Sequence, residues 1–443
     1  MSSKYLIRGG CVLTLGARTP NFERADVLIE GDTISEVGTG LRSRDAEVVD
    51  ATDTIVMPGF VDGHRHLWRS LFRNQGELDP EGAGRAEKAG YGRHYRPDDV
   101  YAAVLIGLLG AVESGITTVV DWSDIAPEPG HVEAALQARA DVGVRTVYVY
   151  STPGWVGGRI DHSSLLREIQ AKAESFGMPM TLAAGLDDPT PSTIDQVTAD
   201  WDSARRSGLR VHAHAGWDET TAGVIAELGR RDLLGDDVTL IHCSHLTEGD
   251  LDAIKSSQTG VVLTPSSEMA AGAGAPPLQG LIDRGIRPGL GVDDERMAPG
   301  DIFAPMRAAI SLQHATLFDL KLAGKAGVPQ LLTTREVIRY ATSDGARVVG
   351  LDGVTGSLEA GKQADVLVLR ADRPNISPVN DPIGAVVWGM DTSNIDWVFG
   401  AGRPLMREGA LQGDLARARD LATDAQRRVA QAAGMLVGTG DSQ

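Results

Sequence analysis

Eight short apolar runs recur through the middle of this chain, near residues 55–61, 116–121, 144–150, 179–184, 209–215, 238–244, 260–264 and 286–292. Each has strand length, and near-continuous hydrophobicity is what a parallel strand buried on both faces requires. Helical patterns lie between them. "PDDVYAAVLIGLLGAVESG" (97–115) opens on Pro and closes on Gly, and "GHVEAALQARADVG" and "DHSSLLREIQAKAESFG" are two more. Eight strand–helix units are the count of a closed (β/α)8 TIM barrel. An open α/β sheet is the rival arrangement.

The two ends of the chain differ from the middle and resemble each other. "KYLIRGGCVLTL" and "ADVLIEGDTISEVG" near the start read as strands. So do "GKQADVLVLRA", "IGAVVWGM" and "IDWVFGAGRPLMREGAL", with turns between them, from 360 to 410. We expect residues 1–56 and 360–410 to form one small composite β domain and residues 57–359 the barrel. Residues 411–443 form a C-terminal helical extension. It holds an Ala-rich amphipathic stretch at 415–436 that packs, half exposed, on the barrel or on a partner subunit.

Polar residues fall at strand ends. The first run leads into "PGFVDGHRH", where His64 and His66 share one face of a strand by the two-residue period. The fifth carries His212 and His214, the sixth His242 and His245, and the eighth Asp293 and Asp294. Six of the ten histidines thus stand at the ends of three strands, and in a barrel those ends gather at one mouth. Imidazoles with a carboxylate suit a borderline divalent ion such as zinc, with iron(II) compatible. Such an ion lowers the pKa of a coordinated water. Any one of these histidines alone reads more readily as a satisfied core or surface group.

Composition excludes other classes. The formal net charge is −18, from 42 basic and 60 acidic side chains, a surface that repels nucleic acid and anionic membranes. No phosphate loop stands in a strand–helix frame, and no run of 18 apolar residues spans a bilayer. The N-terminus lacks the basic region and apolar core of a signal peptide. Cys11 and Cys243 allow one disulfide and no framework. A soluble, cytoplasmic protein with a small-molecule substrate is the expectation.

The motifs "MPGFVDGHRH", "SGITTVVD", "VHAHAG", "IHCSHL", "LGVDDE" and "GSLEAGKQADVLVL" resemble those of the metal-dependent amidohydrolase superfamily, in its cytosine deaminase-like and triazine hydrolase-like branch. The likeness runs from about residue 5 to about residue 410. It implies a distorted barrel with a small β-sandwich built from both chain ends, in an enzyme that is commonly a homo-oligomer. It implies His64, His66, His214 and Asp293 as ligands of one metal ion, with Asp293 also handling the proton of the attacking water. His242 would orient the substrate, and His212 would support the site. The fourth run, "MPMTLAAGLDD", has no lysine to bridge two metals.

Two departures bear on the chemistry. Deaminases of that branch carry Glu three residues beyond the third histidine ligand, to move a proton to the ring nitrogen, and here Trp217 stands there. An indole N–H is no useful acid. Asp218 and Glu219 are nearby in sequence, and Glu219, His242 or His245 are the candidates for the acid role. The seventh run ends in Thr264, Pro265, Ser266, Ser267 and Glu268, where an Asn-containing motif is usual. Glu268 either meets a polar substrate group or caps a loop. Trp68, Trp122, Trp155 and Trp217 near strand ends suggest a flat pocket for a heteroaromatic ligand. Arg69 and Arg73 follow the histidine pair, and the 74–96 loop offers Tyr91, His94 and Tyr95. The leading expectation is hydrolysis of a small cyclic or heteroaromatic substrate at an amide, lactam or other leaving group. Deamination of a purine, pyrimidine or triazine-like amine is the alternative, and a non-hydrolytic metal-binding barrel the third.

Overall fold

The computed structural model describes residues 4–74, 90–153, 162–176, 180–186 and 188–435. Its centre is an eight-stranded parallel sheet whose strands lie in chain order: Phe60–Arg65, Ile116–Ser123, Arg145–Tyr150, Met180–Leu186, Arg210–Ala215, Val238–His242, Gly260–Leu263 and Gly289–Leu290. The fold is a TIM barrel, and all eight expected strand positions are filled. Helices cover the outside, beginning with Pro97–Glu113 and Pro129–Val142. The first of these starts where Pro97 needs no hydrogen-bonded N–H and the Asp99 carboxylate accepts from Arg96 N at 2.6 Å. The barrel interior is packed by Val61, Val120, Trp122, Val149, Ile241 and Val262, so the lumen is a core and no channel.

The ends of the sheet meet at a seam. Gly291 makes the approach possible, because a Cβ there would stand 2.8 Å from the backbone N and O of His64. Asp293 N donates to His64 O at 2.8 Å and His66 N to Asp293 O at 3.2 Å. Asp62 reinforces the seam by accepting from Val292 N at 2.9 Å. The chain segments that close the barrel are therefore the ones that carry the histidine pair and Asp293.

A second, nine-stranded sheet takes its strands from both ends of the chain. Thr54–Pro58 pairs antiparallel with Val366–Arg370, placing Val56 against Val368. Its core holds Tyr5, Ile7, Val27, Val366 and Phe399, with the Tyr5 and Phe399 rings edge to face at 5.1 Å. The first apolar run thus hides two strands in two sheets. The break is Gly59, where any Cβ would collide with the Thr117 side chain. "IGAVVWGM", read from sequence as strand and turn, is instead the helical turns Pro382–Gly384 and Ala385–Gly389. Asp381 caps them by accepting from Ile383 N, and Pro382 fixes the first turn. The C-terminal helix Leu415–Ala432 packs on Pro97–Glu113, and Arg428 pairs with Asp99. Both cysteines are free. Among the described residues no helix is long and apolar enough to cross a membrane.

Candidate active site

At the C-terminal mouth of the barrel, His64 stands at the centre of a cluster of imidazoles. Its Nε2 lies 3.3 Å from His214 Nε2 and 3.4 Å from Asp293 Oδ1, and His66 Nε2 lies 3.5 Å from the same oxygen. His64 belongs to two groups whose donor atoms all lie within 4.8 Å of one another: His64, His66 and Asp293, and His64, His214 and His242. A zinc–nitrogen bond of about 2.0–2.1 Å gives a tetrahedral ligand edge of about 3.3 Å. The three measured separations match that edge. Neutral imidazoles and an ionised carboxylate are the donors a divalent ion needs, and the protonation tendencies agree. Burial pushes His64 down to about 4 and His214 well below its usual value. Burial opposes the charge on Asp293, yet the hydrogen bond from His64 and the neighbouring imidazoles hold it well below the usual carboxylate range. The donor set fits a divalent cation.

Supporting contacts fix the cluster. Ser267 Oγ donates to Asp293 Oδ2 at 2.5 Å. His242 Nδ1 lies 3.2 Å from both Glu268 Oε1 and Thr264 Oγ1. Burial alone would lower the pKa of His242, but Glu268, Asp293 and Asp188 outweigh it and raise it. His242 and Asp293 both take left-handed backbone, with φ of +73° and +65°, a conformation that costs a non-glycine residue about 1–3 kcal/mol and is concentrated at functional sites. His212 lies beneath them, fully buried with neither ring nitrogen hydrogen-bonded, and burial lowers it to about 3.

A cavity of about 520 Å³ opens over the cluster, a size suited to a small-molecule ligand. His66, His214, His242 and Asp293 line it, and so do Arg69, Trp122, Trp217 and Ser267. Trp122 lies 4.0 Å from the His214 ring and Trp217 4.6 Å from the His242 ring, centroid to centroid. Arg69 pairs with Asp294 at 2.7 Å.

Other expected residues stand elsewhere. Glu219 is exposed on the turn Glu219–Thr221 and does not line the cavity. His245 turns away, its Nε2 3.0 Å from Ala273 O. Glu268 is fully buried behind His242. Trp68 donates from its indole to Asp124 at 2.6 Å and packs against Tyr91 and Tyr95, so it backs the cavity wall without lining it. Arg73 pairs with Glu295 at 3.0 Å, and His94 accepts from Arg428 through its backbone oxygen. Trp155 lies outside the described residues.

Two carboxylates at the cavity were not singled out from sequence. Asp124, just past the second strand, lies 3.5 Å from His66 Nδ1. Asp188, just past the fourth, accepts from Trp217 N at 3.1 Å. The only available signal was their position after a strand end, which many loop acids share.

Imidazoles and a carboxylate closing the mouth of a parallel barrel, under a cavity of ligand size, define a barrel hydrolase of the metal-assisted kind. A family model described as the amidohydrolase family matches residues 55–404. A 5′-deoxyadenosine deaminase of Methanothermobacter thermautotrophicus is 28% identical over 93% of this chain and 95% of its own. A 5-methylthioadenosine/S-adenosylhomocysteine deaminase of Pelotomaculum thermopropionicum is 28% identical over 92% and 94%. Among solved structures, an adenosine deaminase of Xanthomonas campestris with bound zinc superposes with a TM-score of 0.83 at 20% identity, covering 97% of this chain and 99% of that one. An atrazine chlorohydrolase of Arthrobacter aurescens complexed with zinc gives 0.79 at 22%, covering 95% and 100%. The chain belongs to the amidohydrolase family, and it is a hydrolase acting on carbon–nitrogen bonds.

Proposed function

We propose that the protein is an aminohydrolase that replaces the exocyclic amino group of a purine nucleoside-like substrate by oxygen. The carrying observation is the donor cluster at tetrahedral-edge spacing beneath a cavity walled by Trp122 and Trp217. Relatives across nearly the full length of the chain deaminate adenine nucleosides. His64, His66, His214 and Asp293 would hold one divalent ion, zinc by the precedent of the two solved structures, with iron(II) compatible with the same donors. When bound, the ion supplies a Lewis acid that brings the pKa of a water to about 7.

The chain's own groups do the rest. Asp293, ionised and held by Ser267, accepts a proton from the attacking water. His242 turns Nδ1 to Glu268, which leaves its other nitrogen to donate a hydrogen bond toward the substrate. Trp122 and Trp217 present flat faces to a planar ring, and their bulk keeps solvent from the reacting carbon. Displacement of a different leaving group from a triazine-like ring, or opening of a lactam, is the second reading. The observation in its favour is Trp217 in place of a proton-transferring Glu. The net charge of −18 accords with a small-molecule substrate and no nucleic-acid partner. We place the enzyme in the cytoplasm as a homo-oligomer by analogy with the family.

The test is ammonia release. Purified protein is expected to deaminate at least one of 5′-deoxyadenosine, 5-methylthioadenosine and adenosine. Dialysis against a chelator should abolish the activity and zinc should restore it. Turnover of triazines or lactams without ammonia from any nucleoside would select the second reading. A further expectation concerns Asp124, whose carboxylate faces the outer nitrogen of His66. Such partners orient a ligand and raise its basicity, and their loss costs about 10- to 100-fold in metal affinity. Asp124→Asn should weaken zinc retention by that factor in competition with a chromophoric chelator. Unchanged retention would remove Asp124 from the site.

A further inference from the structure

Deamination of a heteroaromatic ring needs an acid. As oxygen adds to the ring carbon, the carbon–nitrogen π pair moves onto the ring nitrogen, and protonation there avoids an amide-like anion. Trp217 cannot give that proton, so the donor has to be another group at the cavity. Five described carboxylates line it: Asp124, Asp188, Asp218, Asp293 and Asp294. Four are engaged by partners of their own. Asp124 accepts from the Trp68 indole, with His66 behind it. Asp218 accepts from Thr220 N and Oγ1. Asp293 takes part in the metal cluster. Asp294 is paired with Arg69 and Arg296.

Asp188 differs. Its Oδ2 accepts the backbone N–H of Trp217, and its Oδ1 is buried with no hydrogen-bond partner. Among the described residues no Lys or Arg pairs with it. Burial raises its pKa against the lowering effect of the Trp217 and Gly216 N–H groups and of the nearby His242. The residue in the place of the usual Glu thus holds, through its main chain, a carboxyl group supplied by the neighbouring strand.

We propose that Asp188 is the catalytic acid that protonates the ring nitrogen of the substrate, replacing the carboxyl group absent at position 217. This role rests on the aminohydrolase reading above. Water gives one proton to Asp293 and its oxygen bonds to the ring carbon, while Asp188 gives its proton to the ring nitrogen. The protonated Asp293 then hands its proton to the amino group. The exocyclic C–N bond breaks, and its electron pair leaves with ammonia. The new hydroxyl loses its proton to Asp293 as the C=O forms. Asp293 releases that proton to solvent, and Asp188 takes one up.

The test uses zinc-loaded enzyme with 5′-deoxyadenosine as probe. Asp188→Asn keeps an oxygen to accept the Trp217 N–H but cannot transfer a proton. Its kcat should fall at least about 100-fold, with KM changed by less than about threefold and the melting temperature by less than about 2 °C. A second readout needs no turnover. Purine riboside, which has the ring but no amino group, should bind wild type at least about tenfold more tightly than its 1-deaza analogue. D188A should erase that preference. Full turnover by D188N beside an active wild type overturns the role of Asp188 alone, as does an unchanged preference in D188A. A wild type that releases ammonia from no nucleoside overturns the functional reading, and this role with it.

Discussion

His64→Ala is expected to cost the protein its bound ion and at least about a thousandfold in kcat/KM, since a metal that brings a water's pKa from 15.7 to about 7 generates the nucleophile. His64 is the one imidazole common to both donor groups, so its removal breaks each of them. His214→Ala breaks only the group that contains His242 and should leave weaker, detectable binding through His64, His66 and Asp293. Metal content by elemental analysis after gel filtration and steady-state kinetics on the same preparations make the comparison. The His64 variant should still fold, because the seam contact made by this residue uses its backbone oxygen. A folded His64→Ala protein that retains stoichiometric zinc and activity would remove the cluster from the mechanism.

How much of this was legible in the sequence depends on the range of the interaction. The barrel strands were legible because burial on both faces leaves a local mark, an unbroken apolar run. The histidine pair was legible because the two-residue period puts both rings on one face of one strand. His214 and Asp293 were named through resemblance, and the structure brings both to His64. What stayed hidden is set by contacts between strands. Glu219 is near His214 in sequence but sits on an exposed turn, while Asp188 reaches the cavity from an adjacent strand. Spacing along one segment cannot say which neighbour supplies a carboxylate. Trp68 illustrates the converse. An indole near the histidine pair reads as a ligand wall, yet its N–H is spent on Asp124, a residue no local pattern links to it. The split of the first apolar run between two sheets was equally hidden, since only the packing of Thr117 shows why Gly59 must be the break.

Arg65, between the two histidines, carries the second large expected effect, on stability. Its side chain is fully buried, pairs with Asp62 at 3.1 Å and Glu295 at 2.9 Å, and donates to Gly300 O at 3.2 Å. These partners join the first strand to the segment after the eighth, so the guanidinium clamps the seam from inside. Burial pushes Asp62 up to about 6 even with Arg65 beside it. Arg65→Met fills similar volume but strands two buried carboxylates, and removing one partner of a buried pair costs about 3–5 kcal/mol. Glu295 keeps Arg73 and Ser70 as partners, so most of the cost should fall on Asp62. The double variant Asp62→Asn, Arg65→Met should therefore recover part of the loss, because Asn still accepts from Val292 N and carries no charge. Urea denaturation of the two variants and wild type at fixed zinc concentration measures both quantities. A single variant as stable as wild type, or a double variant no better than the single, would mean that the seam is held by its backbone hydrogen bonds and Gly291 alone. In either case the guanidinium would lose its role as a clamp of the seam that carries His64 and Asp293.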